Sequence, residues 1–240
     1  MSTNITYLIT GANRGNNNSG SRIPFEGETD HIDLQNAEAF DSFIKGAGSK
    51  IIAVKIVSSD ESAAHTAMQH LQAEHGITKL DVVIANAGIA KYFGPASSTP
   101  IAEMREHLEI NALAPLILFQ STASLLKAAL KPKFVVISTK GSTIGGMENE
   151  PFPLTAYGTS KAAVNYIVRK IHFENPWLIA FPIHPGRVAT NEESIAAKSV
   201  MIASISIEQS VVGVITQISE ATREETSGTF RSYDGTVIPW

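Results

Sequence analysis

The run ITYLITGANRG, Ile5 to Gly15, decides how the chain is read. Ile5 to Thr10 is short, rich in β-branched residues and closed by Gly11, so it reads as a buried first strand with a turn directly after it. Glycines after a strand let the backbone turn tightly and approach a pyrophosphate, and a helix N-terminus beyond them stabilises that charge. An ordinary strand-to-loop turn has the same composition, so the rest of the chain must decide.

Apolar runs bounded by turn residues recur at Lys50 to Val57, Leu80 to Ala85, Phe134 to Ser138 and Leu178 to Ile183, and each reads as a strand. Helical patterns lie between them. Asp60 to His75 places Ala64, Ala67, Met68 and Leu71 on one face. Ile101 to Leu130 reads as helical with a break near Asn111 to Pro115, because proline disfavours helix at the residue before it. Tyr157 to Phe173 carries Ala163, Tyr166, Ile167 and Ile171, and Ser206 with Gln209 makes a capping-box pattern ahead of Val211 and Val212. A last strand, Thr229 to Ser232, ends in an Asp234-Gly235 turn. Strands alternating with helices specify an α/β protein with one doubly wound, Rossmann-like parallel sheet. No linker divides residues 1–240, so they are expected to form a single domain.

The 240 residues are 43% hydrophobic and 18% charged, which excludes disordered and fibrous classes and allows a sizeable core. The net charge of −4 lacks the basic excess of many nucleic-acid binders, so no nucleic-acid partner is expected. With no cysteine there is no thiolate metal site and no cysteine nucleophile, and a cytoplasmic location is the default. No apolar run approaches the ~20 residues that span a bilayer, so no membrane partner is expected. His172, Glu174 and His184 suit no standard metal site, and none is assigned.

In a doubly wound sheet, ligands bind beyond the carboxyl ends of the strands. Asn86-Ala87-Gly88 comes directly after one strand and reads by itself as a simple turn. Asn111 stands at the expected helix break, where its side chain could bond main-chain groups or hold a water. Tyr157 and Lys161 are the strongest local signal: at i and i+4 they share a helix face. A neighbouring ammonium favours phenolate, so the Tyr157 pKa is expected to fall from ~10 toward a range useful for a general acid. Alone, the pair would more often be surface residues at a helix start.

The order of these motifs resembles the short-chain dehydrogenase/reductase superfamily over nearly the whole chain. The stretches KLDVVIANAGIA, RKIHFENPWLIAFPIHPG and EATREETSGTF, with the terminal DGTVIPW, are similar to its fungal norsolorinic acid ketoreductase-like subgroup. The resemblance implies hydride transfer from NADPH to a small-molecule carbonyl, with Tyr157 donating the proton. Lys161 would lower the Tyr157 pKa and hold the nicotinamide ribose, and Asn111 would position a water in a proton relay. Gly11, Asn13, Arg14 and Gly15 would meet the pyrophosphate end, where the Arg14 guanidinium could pair with a 2′-phosphate. Asn86, Ala87 and Gly88 would line the ribose, and Pro185, Gly186, Val188 and Thr190 would frame the nicotinamide. A homodimer or homotetramer is also implied.

Departures from the pattern are local. Thr139 stands where the family has its carbonyl-polarising serine, and Ser142 competes for the role. Asn17 replaces a glycine, and Val57 stands where an aspartate commonly bonds adenine. Asn16 to Asp30 carries no helical apolar stripe, so the first crossover helix is expected to be atypical or missing. The second strand is expected to be so too, His31 to Leu34 being the only short candidate. A cofactor-impaired relative acting as a non-redox binding protein, cyclase or isomerase is therefore the alternative. Arg187 reads as a solvated surface residue, or else as a contact for an anionic substrate group.

Overall fold

The computed structural model describes residues 5–11, the backbone of 29–32, and residues 49–58, 60–188 and 205–240. Among the described residues seven strands form one sheet: β1 (Ile5–Ile9), β2 (Thr29–Ile32), β3 (Lys50–Ile52), β4 (Val82–Ala85), β5 (Lys133–Ile137), β6 (Ile179–His184) and β7 (Arg231–Ser232). Their order is β3-β2-β1-β4-β5-β6-β7, with every neighbouring pair parallel. The chain leaves β1 for one edge and returns at β4 to build the other, so the crevice of the fold opens between those two strands.

The second strand is atypical in its polar composition, as expected, rather than missing, and its bounds differ from the His31 to Leu34 candidate. It is present, beginning at Thr29, and pairs with β1 through Ile5↔Thr29 and Leu8↔Ile32. Polar Thr29, Asp30 and His31 hide it from an apolar-run criterion, whereas sheet pairing needs only the backbone. The first crossover helix falls outside the described residues. The third strand stops at Ile52, five residues earlier than expected.

Alternate strand residues feed two cores, as a period of two requires. Leu8, Val83, Phe134, Val136 and Ala180 face one layer with helices α1 (Glu61–His75), α3 (Ala114–Lys127) and α4 (Thr155–Glu174). Val82, Ile84, Val135, Phe181 and Ile183 face the other, where α5 (Ile207–Glu220) contributes Ile218. Local signals set the helix ends. The Asp60 carboxylate accepts from the N–H groups of Ser62 and Ala63, and Ser206 with Gln209 forms the reciprocal capping box.

The expected break near Asn111 does not occur. Helix α2 (Ile101–Leu108) runs into α3 through a π-helical turn, Glu109–Leu113, in which the Ala114 N–H reaches the Glu109 carbonyl. Widening the turn by one residue accommodates Pro115, which has no N–H to donate, without breaking the axis. Taken as one span, Ile101–Lys127 is long and apolar enough to cross a membrane by composition. Here Leu118, Leu125 and Leu126 are buried in the core, which accounts for its apolarity.

Candidate active site

The carboxyl ends of β1, β4, β5 and β6 meet along one edge of the sheet. The Thr10 hydroxyl, just past β1, accepts from the Asn86 and Ala87 N–H groups at 3.2 Å, and Asn86 Nδ2 donates to the Thr10 carbonyl at 2.9 Å. Gly11 comes next with φ +69°, and a Cβ there would lie 2.7 Å from Ala87 Cα. The two strand ends can approach this closely only because residue 11 is glycine. Beside them lies a cleft of about 390 Å³ lined by Thr10, Gly11, Val57, Asn86, Ala87 and Gly88. That size falls within the range of small-molecule sites.

Gly88 carries the loop to the reactive side chains: a Cβ there would meet Asn111 Oδ1 at 3.0 Å and Lys161 Nζ at 3.4 Å. These residues fit a nicotinamide dinucleotide, which needs a glycine-edged cleft where backbone meets phosphate and a cation near a ribose. Asn13, Arg14, Gly15, Asn17 and Thr190 lie outside the described residues. On the other flank the Pro185 carbonyl accepts from Ser210 Oγ at 2.5 Å, Gly186 takes φ +86°, and Val188 bridges to Ile205.

Asn111 is fully buried in the π turn. Its Oδ1 accepts from the Ile89 N–H at 2.8 Å, and its Nδ2 donates to the Ile89 carbonyl and to Ser160 Oγ, both at 2.9 Å. Ser160 Oγ in turn donates to the Tyr157 carbonyl at 2.7 Å. The side chain thus ties the loop after β4 to the second turn of α4. Ser160 was not singled out by sequence, although its place inside Tyr157 to Lys161 was a usable signal. Thr10 was likewise missed as a brace.

Lys161 is buried, and Nζ donates to the Ile137 carbonyl at 2.7 Å. Loss of water lowers its pKa to about 8. The ammonium stands 6.0 Å from the centre of the Tyr157 ring. The expected lowering of the Tyr157 pKa is reversed: burial pushes the phenol up to about 12, and a hydrogen bond with the Thr139 hydroxyl only partly opposes this. Desolvation of the phenolate outweighs an ammonium already engaged by a carbonyl.

Thr139 and Ser142 have different surroundings. Ser142 Oγ donates to the Thr139 carbonyl at 2.6 Å and accepts from Asn165 Nδ2 at 2.9 Å. The Ser138 hydroxyl donates to Asn165 Oδ1 at 2.7 Å, closing a buried polar network under the loop. Thr139 is instead the hydroxyl that meets the phenol. Gly158 lets α4 come this close, since a Cβ there would lie 2.9 Å from the Gly141 carbonyl oxygen. Arg187 departs from the expected solvated residue: its Nη2 bonds Glu150 Oε2 at 2.9 Å and its guanidinium stacks 4.3 Å from the centre of the Phe152 ring. Among the described residues, no three His, Asp or Glu side chains gather to hold a metal ion.

Comparison with known proteins agrees with this geometry. Residues 7–198 match the short chain dehydrogenase family. A norsolorinic acid ketoreductase of Emericella nidulans is 41% identical, covering 98% of this chain and 93% of its own length. One of Aspergillus parasiticus is also 41% identical, over 98% of this chain and 90% of its own. The fold is shared with the NADPH-bound carbonyl reductase from chicken fatty liver, at TM-score 0.79 and 22% identity over 98% of both chains. The chain therefore belongs to the short-chain dehydrogenase/reductase family of NAD(P)-dependent oxidoreductases, within its fungal norsolorinic acid ketoreductase-like subgroup.

Proposed function

We propose that the protein reduces a ketone or aldehyde on a polyketide-like aromatic metabolite, taking hydride from NADPH and a proton from Tyr157. The observation that carries this reading is the convergence of Tyr157, Thr139, Lys161 and Asn111 on one strand edge beside a glycine-edged cleft. The ketoreductase names of relatives about 41% identical support the substrate class.

NADPH supplies the hydride when bound; Gly11, Asn86, Ala87, Gly88, Pro185, Gly186 and Val188 are the described residues that would hold it. Asn13, Arg14, Gly15 and Thr190 are proposed on sequence grounds to complete the site, with Arg14 favouring NADPH over NADH. The chain's own groups handle the proton. A phenol pushed up to about 12 is protonated at neutral pH and so carries the proton to be donated, but it is a weaker acid than a free tyrosine, and the transfer relies on the greater basicity of its acceptor. An alkoxide is a stronger base than phenolate, so proton transfer to it runs downhill. Thr139 donates to or accepts from the phenol according to its charge, and so is the better of the two candidates for polarising the carbonyl.

Lys161, still mostly protonated at neutral pH with a pKa of about 8, stabilises the phenolate left behind. Pro115 has no N–H, so the Asn111 carbonyl lacks its α-helical donor and can hold a relay water. We further propose a cytoplasmic homodimer or homotetramer, for which the exposed Leu113, Tyr166 and Phe173 offer apolar contact surface. The test of activity is NADPH oxidation with an aromatic ketone. Wild type should turn over, and Tyr157→Phe should lose about 10²- to 10⁴-fold. Undiminished turnover in that variant would remove Tyr157 from the mechanism.

A further inference from the structure

The loop after β5 and the segment after β6 carry charges that the hydride chemistry does not use. Glu150 accepts from Arg187 Nη2 at 2.9 Å and lies 3.5 Å from Lys140 Nζ. Only 6% of the Glu150 side chain is exposed, against 48% for Lys140 and 35% for Arg187. Within this triad the negative charge is therefore turned inward and the two positive groups outward, while Glu148 on the same loop is itself exposed. The triad lies next to the reactive centre: Lys140 adjoins Thr139 in the chain, and Arg187 adjoins Gly186.

The guanidinium is also held for recognition. Phe152 lies 4.3 Å beneath it and Glu150 holds one edge, which spares much of the rotamer entropy an arginine loses on meeting a ligand. The same loop also carries exposed apolar side chains, Ile144 and Met147. Buried His184, whose Nδ1 has no hydrogen-bond partner, registers the local field. Burial is the main cause of its lowered pKa; the charges of Arg187 and Lys140 add to it, against a smaller opposing effect of Asp234, whose carboxylate is bound by Thr236.

We propose that Arg187 and Lys140, positioned by Glu150 and Phe152, form a subsite for an anionic oxygen, a carboxylate or ionised phenol, on a flat aromatic ketone whose carbonyl is reduced at Tyr157. This rests on the reductase reading and adds the charge of the substrate to it. Apolar Ile144 and Met147 receive the ring system, and the cationic edge fixes which end of the molecule faces Tyr157. Guanidinium geometry suits a planar carboxylate, so Lys at position 187 is a poor substitute.

The test measures calorimetric binding of 6-acetyl-2-naphthoate and its neutral analogue 2-acetylnaphthalene, with NADPH present, and then turnover of both. Wild type should bind the naphthoate at least tenfold more tightly. Arg187→Gln should weaken the naphthoate about 10- to 100-fold while changing the neutral ketone less than twofold. Lys140→Met, at an exposed site where folding is not at risk, should weaken the naphthoate about two- to fivefold, an effect erased in 1 M salt. Equal affinity of wild type for the two ketones, or equal losses for both in Lys140→Met, would overturn the subsite. Preferential naphthoate binding without turnover of either ketone would keep the subsite and refute the reductase reading.

Discussion

Replacing Lys161 by Met should make the protein more stable and inactive. The ammonium is buried, and its pKa falls from 10.5 in the unfolded chain to about 8 in the folded one. That difference corresponds to about 3 kcal/mol of destabilisation carried at neutral pH. The sign comes from proton counts: between pH 8 and 10.5 the unfolded chain binds more protons, so stability rises with pH across that window. Below about pH 8 the full penalty is present. Met removes the charge and fills a similar volume, but leaves the Ile137 carbonyl without its 2.7 Å donor, at a cost of about 1 kcal/mol. The net gain is about 2 kcal/mol at pH 7, or a rise in Tm of roughly 4–8 °C for a chain of this size. Differential scanning calorimetry at pH 7 and pH 10 tests it: the gain of the variant should be large at pH 7 and shrink at pH 10. A variant no more stable than wild type at pH 7 would refute the reasoning. A stabilised and inactive variant would mark Lys161 as a residue kept for chemistry at the expense of stability.

Gly11→Ala should cost at least about 1–2 kcal/mol from its positive φ alone, before the 2.7 Å contact with Ala87 Cα is relieved. Its melting temperature should fall by roughly 2–8 °C, and an unchanged Tm would show that the two strand ends are not packed as described. Thr139→Val should lower turnover about 10²-fold in a folded protein, whereas Ser142→Ala should cost about 1–3 kcal/mol of stability and leave turnover near wild type. Kinetics and thermal melts on both variants decide it, and the reversed pattern would exchange their roles. His184, buried with a pKa lowered to about 4 against 6.5 unfolded, should make stability fall as pH drops from about 6.5 toward 4. Denaturant titrations of wild type and His184→Asn across that range should show the loss in wild type and a smaller one in the variant; parallel curves would contradict it.

Much of the fold was legible because strands and helices here are punctuated locally. The apolar runs ending at Ala85 and Ile137 and the Ser206–Gln209 box announce their elements without tertiary help. Thr29–Ile32 was hard to see because its polar residues pass an apolar filter unnoticed, and only the partner β1 makes a strand of them. The Asn111 region misled in the other direction. Proline does forbid the α-type hydrogen bond, but a π turn absorbs the defect, and Asn111 within that turn is bonded to Ile89 in another loop.

The site was legible as types of residue and less so as energetics. Tyr157 and Lys161 sit as their spacing requires, yet the phenol pKa rises because burial, which one sequence does not reveal, outweighs the nearby charge. Thr139 and Ser142 could not be separated by spacing, since the difference lies in Asn165, which is 23 residues away from Ser142 in the chain.

A reductase of this kind must bind NADPH on this chain. Isothermal titration of the purified protein with NADPH should give one site per chain, with NADH at least tenfold weaker if Arg14 reads the 2′-phosphate. The absence of any saturable binding of either nucleotide would contradict the reductase reading and favour a non-redox use of the same pocket.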